Sequence, residues 1–442
     1  MKKYWKIITL FTVLNLGFFA YNAYYDKSKH LALVAIGLVL FTAFEFALLK
    51  LVFFLKEKKK WKIEKIFLLI AIIIGAAHAF ITPMNQVPDE IVHIMRTNDI
   101  AEGNVVGKKN ESGHYRAKIS KTFWRVLNNG SSDSKYYGKV AVSMFESASD
   151  EKWGYDFDST AMYKPISYLP QTLGIIVGKI LHLPIVMSMY LARLFAVIAY
   201  AVIVYFAIKL TPKYKEFFLL FALLPMSLQQ AGSFSADMMV IASAFFTIAL
   251  AMNYIYGSDK KLSGKQIAIM YAAILITSAT KSLAYLPLGL AFVLIPASKF
   301  KSTFRKFLHL AMIVVIAVSS NYVWVSIQDK TTARQSSESV SEAVEVEPAK
   351  KQNPTTLEFL NMAFGTFLGA NTDHIVSGTF GMNLSYKYAA PLRAYVYIMI
   401  ILIVIMVLRS NEKLEKRKYD KLVFWAIPIL LCVAFYYIAA YQ

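Results

Sequence analysis

The chain has 442 residues, of which 57% are hydrophobic and only 17% charged. A soluble globular protein is nearer half apolar and a quarter charged, so this composition excludes a soluble enzyme and a disordered chain and points to a polytopic membrane protein. Lys+Arg 48 against Asp+Glu 28 leaves a formal charge of +20; the basic residues cluster between apolar stretches, which is the pattern of cytoplasmic loops rather than of a nucleic-acid footprint.

In chain order, Met1-Lys2-Lys3 precedes an apolar stretch with no small-residue cleavage site, so a retained first span is expected over 5–23. Further apolar runs predict spans over 31–55, 63–82, 186–209, 215–231, 235–256, 265–280, 283–297, 304–325, 391–409 and 421–440, about 11 transmembrane helices in all. The fold class expected is therefore an all-α polytopic membrane protein. With the N-terminus in the cytoplasm, the Lys/Arg-rich segments 56–65, 209–215, 260–265, 299–306 and 409–421 all fall on the inner side, and the C-terminus is extracytoplasmic. That orientation requires 166–182 to lie in the interface as an amphipathic or re-entrant helix.

The organisation that follows has three N-terminal spans (1–82), a large folded extracytoplasmic loop (83–185), spans 4–9 (186–325), a second extracytoplasmic loop (326–390) and two last spans (391–442). Within the second loop, 331–352 is Ser/Glu-rich without aromatic residues and is expected to be disordered. No internal repeat and no matched pair of interrupted helices is visible, which argues against an inverted-repeat transporter. The single cysteine, Cys432, excludes an intramolecular disulfide and a Cys-based metal cluster.

The stretch after the third span, PMNQVPDEIVHIMRTNDIAEG, carries the clearest chemistry. Pro88 suits the first position of a helix, and Asp89 and Glu90 suit its first turn. Asp89, His93 and Arg96 are then spaced to share one face. A carboxylate at the water–membrane boundary beside a His and an Arg suits a general base acting on a hydroxyl; a capped helix with a local ion pair explains the same residues. Tyr163, Lys164, Tyr168 and Gln171 stand at the start of the interfacial helix, where rings can pack on sugar faces and Lys can hold a phosphate; an interfacial aromatic belt is the other reading. Arg193, just inside the fourth span, needs a partner, either a phosphate or a carboxylate from the first loop, unless it snorkels to the surface. Ser233 and Asp237 suit capping of the sixth span as well as function. Lys281 lies in a turn facing the side of the first loop and could meet a lipid phosphate or simply separate two spans. The histidines show no metal-ligand spacing, and neither HExxH nor a Gly-rich phosphate loop is present.

Taken in order, these segments resemble the bacterial membrane family catalogued as domain of unknown function 2142, which is similar to the C-type (GT-C fold) glycosyltransferases. The resemblance rests on Pro88-Asp89-Glu90 with His93, Arg96 and Gly103, on Tyr163, Pro165, Tyr168, Pro170 and Gln171, and on Arg193-Leu194. Leu224-Pro225-Met226 with Ser233 and Asp237 follows, then Lys281 with Tyr285-Leu286-Pro287. It spans roughly 65–391. Two departures are Met382 after Phe380-Gly381, where the family usually has Trp, and the chain end at Tyr441-Gln442, where the pattern implies further helices.

The resemblance implies a multi-pass cell-membrane glycosyltransferase, inverting, that moves a sugar from a polyprenyl-phosphate donor to a cell-envelope glycan acceptor on the outer face. Asp89 would be the base, and Glu90 would assist or, with Asp89, hold a divalent cation (Mg or Mn). Arg193 with Lys164 or Lys281 would stabilise the leaving phosphate, and His93 and Arg96 would orient the acidic pair. The partners expected are the lipid bilayer, the donor and the acceptor, with no nucleic acid. The alternatives are a transporter or flippase of lipid-linked glycans and a non-catalytic membrane component of envelope-polymer assembly.

Overall fold

The computed structural model describes residues 13, 31–110, 112–128, 134–338, 422–423 and 426–431. The spans expected at 5–23 and 391–409, most of 421–440, and Phe380, Gly381, Met382 and Pro391 lie outside the described residues. The chain divides into two units, Met1–Ile66 and Phe67–Gln442. In the first, helix α1 (Leu31–Phe53) is a continuous apolar run that closes in one π-helical turn, Phe54–Lys58. A Lys-rich corner follows, with Lys60 in the left-handed region at φ 53°.

Among the described residues four helices are long and apolar enough to cross a membrane. They are α2 (Ile63–Ile81), α8 (Ile185–Leu210), α11 (Asp237–Tyr256) and the stretch Thr303–Thr331 of α13. At 1.5 Å per residue the 26 residues of α8 extend about 39 Å, enough to span a hydrocarbon core of about 30 Å with tilt. α7 (Leu169–Ile180) has 12 residues and reaches only about 18 Å. It follows the 3-10 turn Pro165–Tyr168.

α7 lies flat against α8 because two glycines remove its side chains from the contact. A Cβ on Gly174 would stand 2.5 Å from the Ala192 Cα, and one on Gly178 would stand 2.4 Å from the Ser188 hydroxyl oxygen. Small residues four apart let two backbones meet without intervening side chains, the usual device where lipid removes the hydrophobic drive between helices.

The second unit departs from the expected spans in several places. The run 215–231 is two helices, α9 (Lys215–Ala222) and α10 (Pro225–Ala231), because Pro225 has no N–H to continue the ladder. After α12 (Gly264–Thr280), the run 283–297 is a short extended segment, β3 (Lys281–Leu283), and two 3-10 turns, Leu286–Leu294 and Ala297–Lys299. α13 runs from Thr303 to Glu338, so residues 331–338, expected to be disordered, are helical.

The region between α2 and α8 folds around its own core. It holds α3 (Glu90–Ala101), β1 (Arg116–Ser120), α4 (Lys121–Asn128), α5 (Ser134–Ser143), β2 (Lys152–Asp156) and α6 (Asp158–Ala161). Ile94, Ile119, Phe123 and Phe157 bury together with Met189 of α8, which anchors this layer to the long helices. β1 and β2 pair antiparallel, with Arg116 opposite Asp156 and Ile119 opposite Trp153. The all-α expectation is corrected here: Ala117 and Ile119 face the core alternately with exposed Arg116 and Lys118, the period-two pattern of a strand. α3 ends as its composition demands, with Gly103 at φ 93°, a conformation that favours glycine after a helix C-terminus.

Candidate functional site

α3 begins at Glu90, two residues later than a helix opened by Pro88 would. Asp89 is its N-cap residue, at φ 59°, with no capping hydrogen bond from its side chain. A non-glycine in the left-handed region costs free energy and persists where the surroundings impose it, most often at functional sites. The turn splits the acidic pair: Asp89 is exposed, while Glu90 is fully buried.

Glu90 meets Arg193, which is buried as completely. Arg193 Nη2 and Nε donate to Glu90 Oε1 at 2.6 and 3.2 Å, and Nη1 donates to the Ala79 and Thr82 carbonyls at 2.9 and 2.7 Å. Glu90 Oε1 also accepts from the Phe234 amide at 3.2 Å, and Oε2 from the Asn85 amide at 2.8 Å. Of the two partners open to Arg193, the structure shows the carboxylate, and Arg193 does not snorkel. The clamp joins the end of α2, the start of α3, α8 and the turn before α11. Both side chains are buried and hydrogen-bonded to each other and to backbone, so the clamp ties these segments together.

Arg96 is likewise fully buried and does not orient the acidic pair. Its Nη1 donates to Asp99 Oδ2 at 3.1 Å and its Nη2 to the Val105 carbonyl at 2.6 Å, holding the chain as it leaves α3. Gln171 is buried and donates from Nε2 to the Ser235 carbonyl at 3.2 Å, tying α7 to the turn before α11. Its Oε1 is buried without a hydrogen-bond partner among the described residues.

The remaining candidates converge. His93 Nδ1 and the Tyr168 hydroxyl are 2.7 Å apart, and the His93 ring lies over Tyr163 with centroids 6.2 Å apart. Lys281 Nζ donates to Asp237 Oδ1 at 2.8 Å, with both side chains partly open. Asp237, Lys281 and Asp89 all act electrostatically on His93. Burial lowers the His93 pKa to about 4; Asp237 and Asp89 pull it up and Lys281 pushes it down. The imidazole is therefore neutral at pH 7, with its Nδ1 paired to the Tyr168 hydroxyl. Burial raises the Tyr163 hydroxyl and raises Tyr168 well above the ordinary tyrosine value, so both keep their protons.

Lys164 Nζ is buried without a hydrogen-bond partner among the described residues. Burial lowers its pKa. A buried ammonium with nothing to donate to is costly, and an anion would satisfy it.

Three further residues complete the surroundings. Tyr285 is coupled to Asp237, Lys281 and Tyr163. Trp324 Nε1 and Gln328 Nε2 of α13 donate to the Met162 and Ala161 carbonyls, each at 3.0 Å, and hold the segment that precedes Tyr163. The Lys281–Tyr285 spacing could have flagged Tyr285. Nothing local marks Trp324, which reads as the end of the expected 304–325 span, or Gln328, because 326 onward reads as loop.

A groove of about 360 Å³ opens beside this cluster. Ile166, Leu169, Phe206, Met239, Ala272 and Ile276 line it, and its one hydroxyl, Ser243, is committed to the Val240 carbonyl at 3.1 Å. Ile166 lies between Lys164 and Tyr168, and Met239 is two residues beyond Asp237. Ile276 is five residues before Lys281, about 7.5 Å along the chain at helical rise. Polar cluster and apolar groove therefore share two elements, the turn Pro165–Tyr168 and α11.

As for a metal, no group of three or more His, Cys, Asp or Glu side chains suited to an ion occurs among the described residues. Glu90, half of the expected Asp89–Glu90 pair, has both oxygens engaged by N–H donors. The residues present do not fit a divalent cation at that pair.

Apolar helices long enough to cross a bilayer, and a site at their ends, define a mostly helical membrane protein. Residues 69–442 match the model of the family described as predicted membrane protein DUF2142, and the chain belongs to that family. No curated protein and no solved structure matches it.

Proposed function

We propose that the protein is a GT-C-type glycosyltransferase that takes a sugar from a polyprenyl-phosphate donor on the outer face of the cell membrane and passes it to a glycan of the cell envelope. One observation carries this reading: an apolar groove is lined by Ile166 and Met239, close in sequence to Tyr168 and Asp237 of a cluster of Lys, Asp, His and Tyr. A ligand that fits both halves has a long hydrocarbon tail and a polar, anionic head. Lys164, whose Nζ is buried without a hydrogen-bond partner among the described residues, supplies charge for a phosphate, and Lys281, paired with Asp237, is a second lysine for it.

In this reaction the acceptor hydroxyl oxygen attacks the anomeric carbon of the donor. The hydroxyl proton passes to the Asp89 carboxylate as the new C–O bond forms. The bond from the anomeric carbon to the phosphate oxygen breaks on the opposite face, its electron pair leaves with the polyprenyl phosphate, and the configuration inverts. Lys164 and Lys281 stabilise the negative charge that develops on the leaving phosphate. Neutral His93, held by Tyr168, orients the acceptor near Asp89, and Tyr163 and Tyr285 present rings and hydroxyls to the sugar.

The test is transfer by purified protein in lipid nanodiscs from a panel of polyprenyl-phosphate sugars. Transfer from at least one donor is expected, with a loss of about 10²–10⁴-fold for Asp89→Asn, the usual worth of a positioned general base. Full transfer by Asp89→Asn overturns the assignment of the base. No transfer, together with accumulation of an inner-leaflet lipid-linked intermediate in a deletion strain, marks a flippase instead.

A further inference from the structure

Glu90–Arg193 and Asp237–Lys281 both join segments far apart in sequence, and they differ in how much of their bonding capacity is spent. In Glu90–Arg193 both side chains are fully buried, and both carboxylate oxygens accept N–H donors. In Asp237–Lys281 one carboxylate oxygen meets the ammonium at 2.8 Å, and the side chains are 41% and 29% exposed. Among the described residues no other hydrogen bond reaches the Asp237 carboxylate or the Lys281 ammonium. An ammonium has three donors, so most of the bonding capacity of Lys281 is open to a ligand.

The backbone behind each member of the open pair is fixed. Ser167, fully buried, donates to the Thr280 carbonyl at 2.8 Å, immediately before Lys281, and the Asp237 amide donates to the Ser235 hydroxyl at 3.1 Å. Asp237 stands in the first turn of α11 without capping it, since the N-cap position is Ala236. Its carboxylate is spent on Lys281 rather than on the helix end. The same carboxylate acts electrostatically on His93, Tyr163, Tyr168 and Tyr285, so it is the charge that the cluster shares.

We propose that Asp237 is an exchangeable placeholder: it occupies Lys281 while the site is empty and yields the ammonium to the phosphate monoester headgroup of a lipid. A half-exposed ion pair is held weakly, whereas opening a buried one strands two charges, so exchange suits Asp237–Lys281 and not Glu90–Arg193. A phosphate monoester carries about −1.5 to −2 charges at pH 7 and three acceptor oxygens, more than a carboxylate brings to the same ammonium. In the proposed transfer the donor headgroup is a phosphodiester with one charge, and the leaving group is a monoester. Lys281 therefore passes from Asp237 to the phosphate as the bond to the sugar breaks, and the return of Asp237 favours release of the spent lipid. That part in the reaction rests on the glycosyl-transfer reading; the competition for Lys281 does not.

The test is binding of farnesyl phosphate to the full chain in phosphatidylcholine nanodiscs, by isothermal titration calorimetry with empty nanodiscs as the blank. Lys281→Met is expected to bind about tenfold more weakly than the parent. Asp237→Asn is expected to bind about fivefold more tightly, and that gain is expected to vanish in the Lys281→Met background. Farnesol is expected to bind all four proteins alike, and inorganic phosphate to compete only at a concentration about 100-fold higher than the lipid, because it buries no hydrocarbon. The placeholder is overturned if Asp237→Asn keeps the parent unfolding temperature and binds no more tightly. A gain that persists without Lys281, farnesol binding that changes with Asp237, or inorganic phosphate as potent as the lipid overturns it as well. Should Asp237→Asn not fold, the double variant leaves no lone charge and is compared with Lys281→Met alone: equal affinity is expected, and a gain refutes the exchange. The expected binding pattern without sugar transfer from any lipid donor leaves the placeholder standing and defeats the transfer reading alone.

Discussion

Two carboxylates adjacent in sequence have opposite fates, and the left-handed turn at Asp89 is the reason. It aims Glu90 inward to a guanidinium and leaves Asp89 in the open. Removing one member of a buried, hydrogen-bonded pair leaves an uncompensated charge. Arg193→Met alone is therefore expected to destabilise the protein by about 3–5 kcal/mol, and Glu90→Gln with Arg193→Met by distinctly less. Thermal unfolding in detergent checks this, and a double-mutant cycle with no coupling would refute the clamp. His93 makes a second prediction. Its folded pKa of about 4 lies below the ordinary 6.5. Between those values the unfolded chain binds a proton that the folded chain refuses. The stability due to this imidazole is thus complete above about pH 6.5 and is lost as pH falls toward 4. His93→Gln is expected to flatten that limb of the stability–pH curve relative to the parent; an unchanged limb would contradict it.

At the scale of elements, the α7–α8 contact sets where the cluster stands, because α7 follows directly on Tyr168 and carries Gln171 to the turn before α11. A Cβ on Gly174 would meet backbone at 2.5 Å, and backbone cannot rotate away. Gly174→Ala is expected to cost about 1–3 kcal/mol by overpacking, despite alanine's better helix propensity. An unfolding temperature equal to or above that of the parent would show the two helices to be less tightly seated. The α9–α10 break follows from Pro225 and could be read locally. The end of α13 could not: the Ser/Glu-rich composition of 331–338 signals solvent, yet Gln328 and Trp324 hold the helix on the segment before Tyr163. The strands β1 and β2 were hidden for a similar reason. Each is five residues long, and their pairing partners lie about 35 residues apart in sequence.

For the whole molecule, hydropathy alone determined that this is a membrane protein, since long apolar helices have no other solvent in which their surfaces are cheap to expose. The order of short motifs led to the family and to Asp89, His93, Tyr163, Tyr168, Asp237 and Lys281, which do come together. Residue type and spacing could name those groups but not sort exposed from buried ones. Arg96, Arg193 and Glu90 look as available in sequence as Asp89, and only packing shows them fully buried. Tertiary structure also decided where the apolar groove meets the cluster, because its walls come from four segments brought together by helix packing rather than by any local pattern.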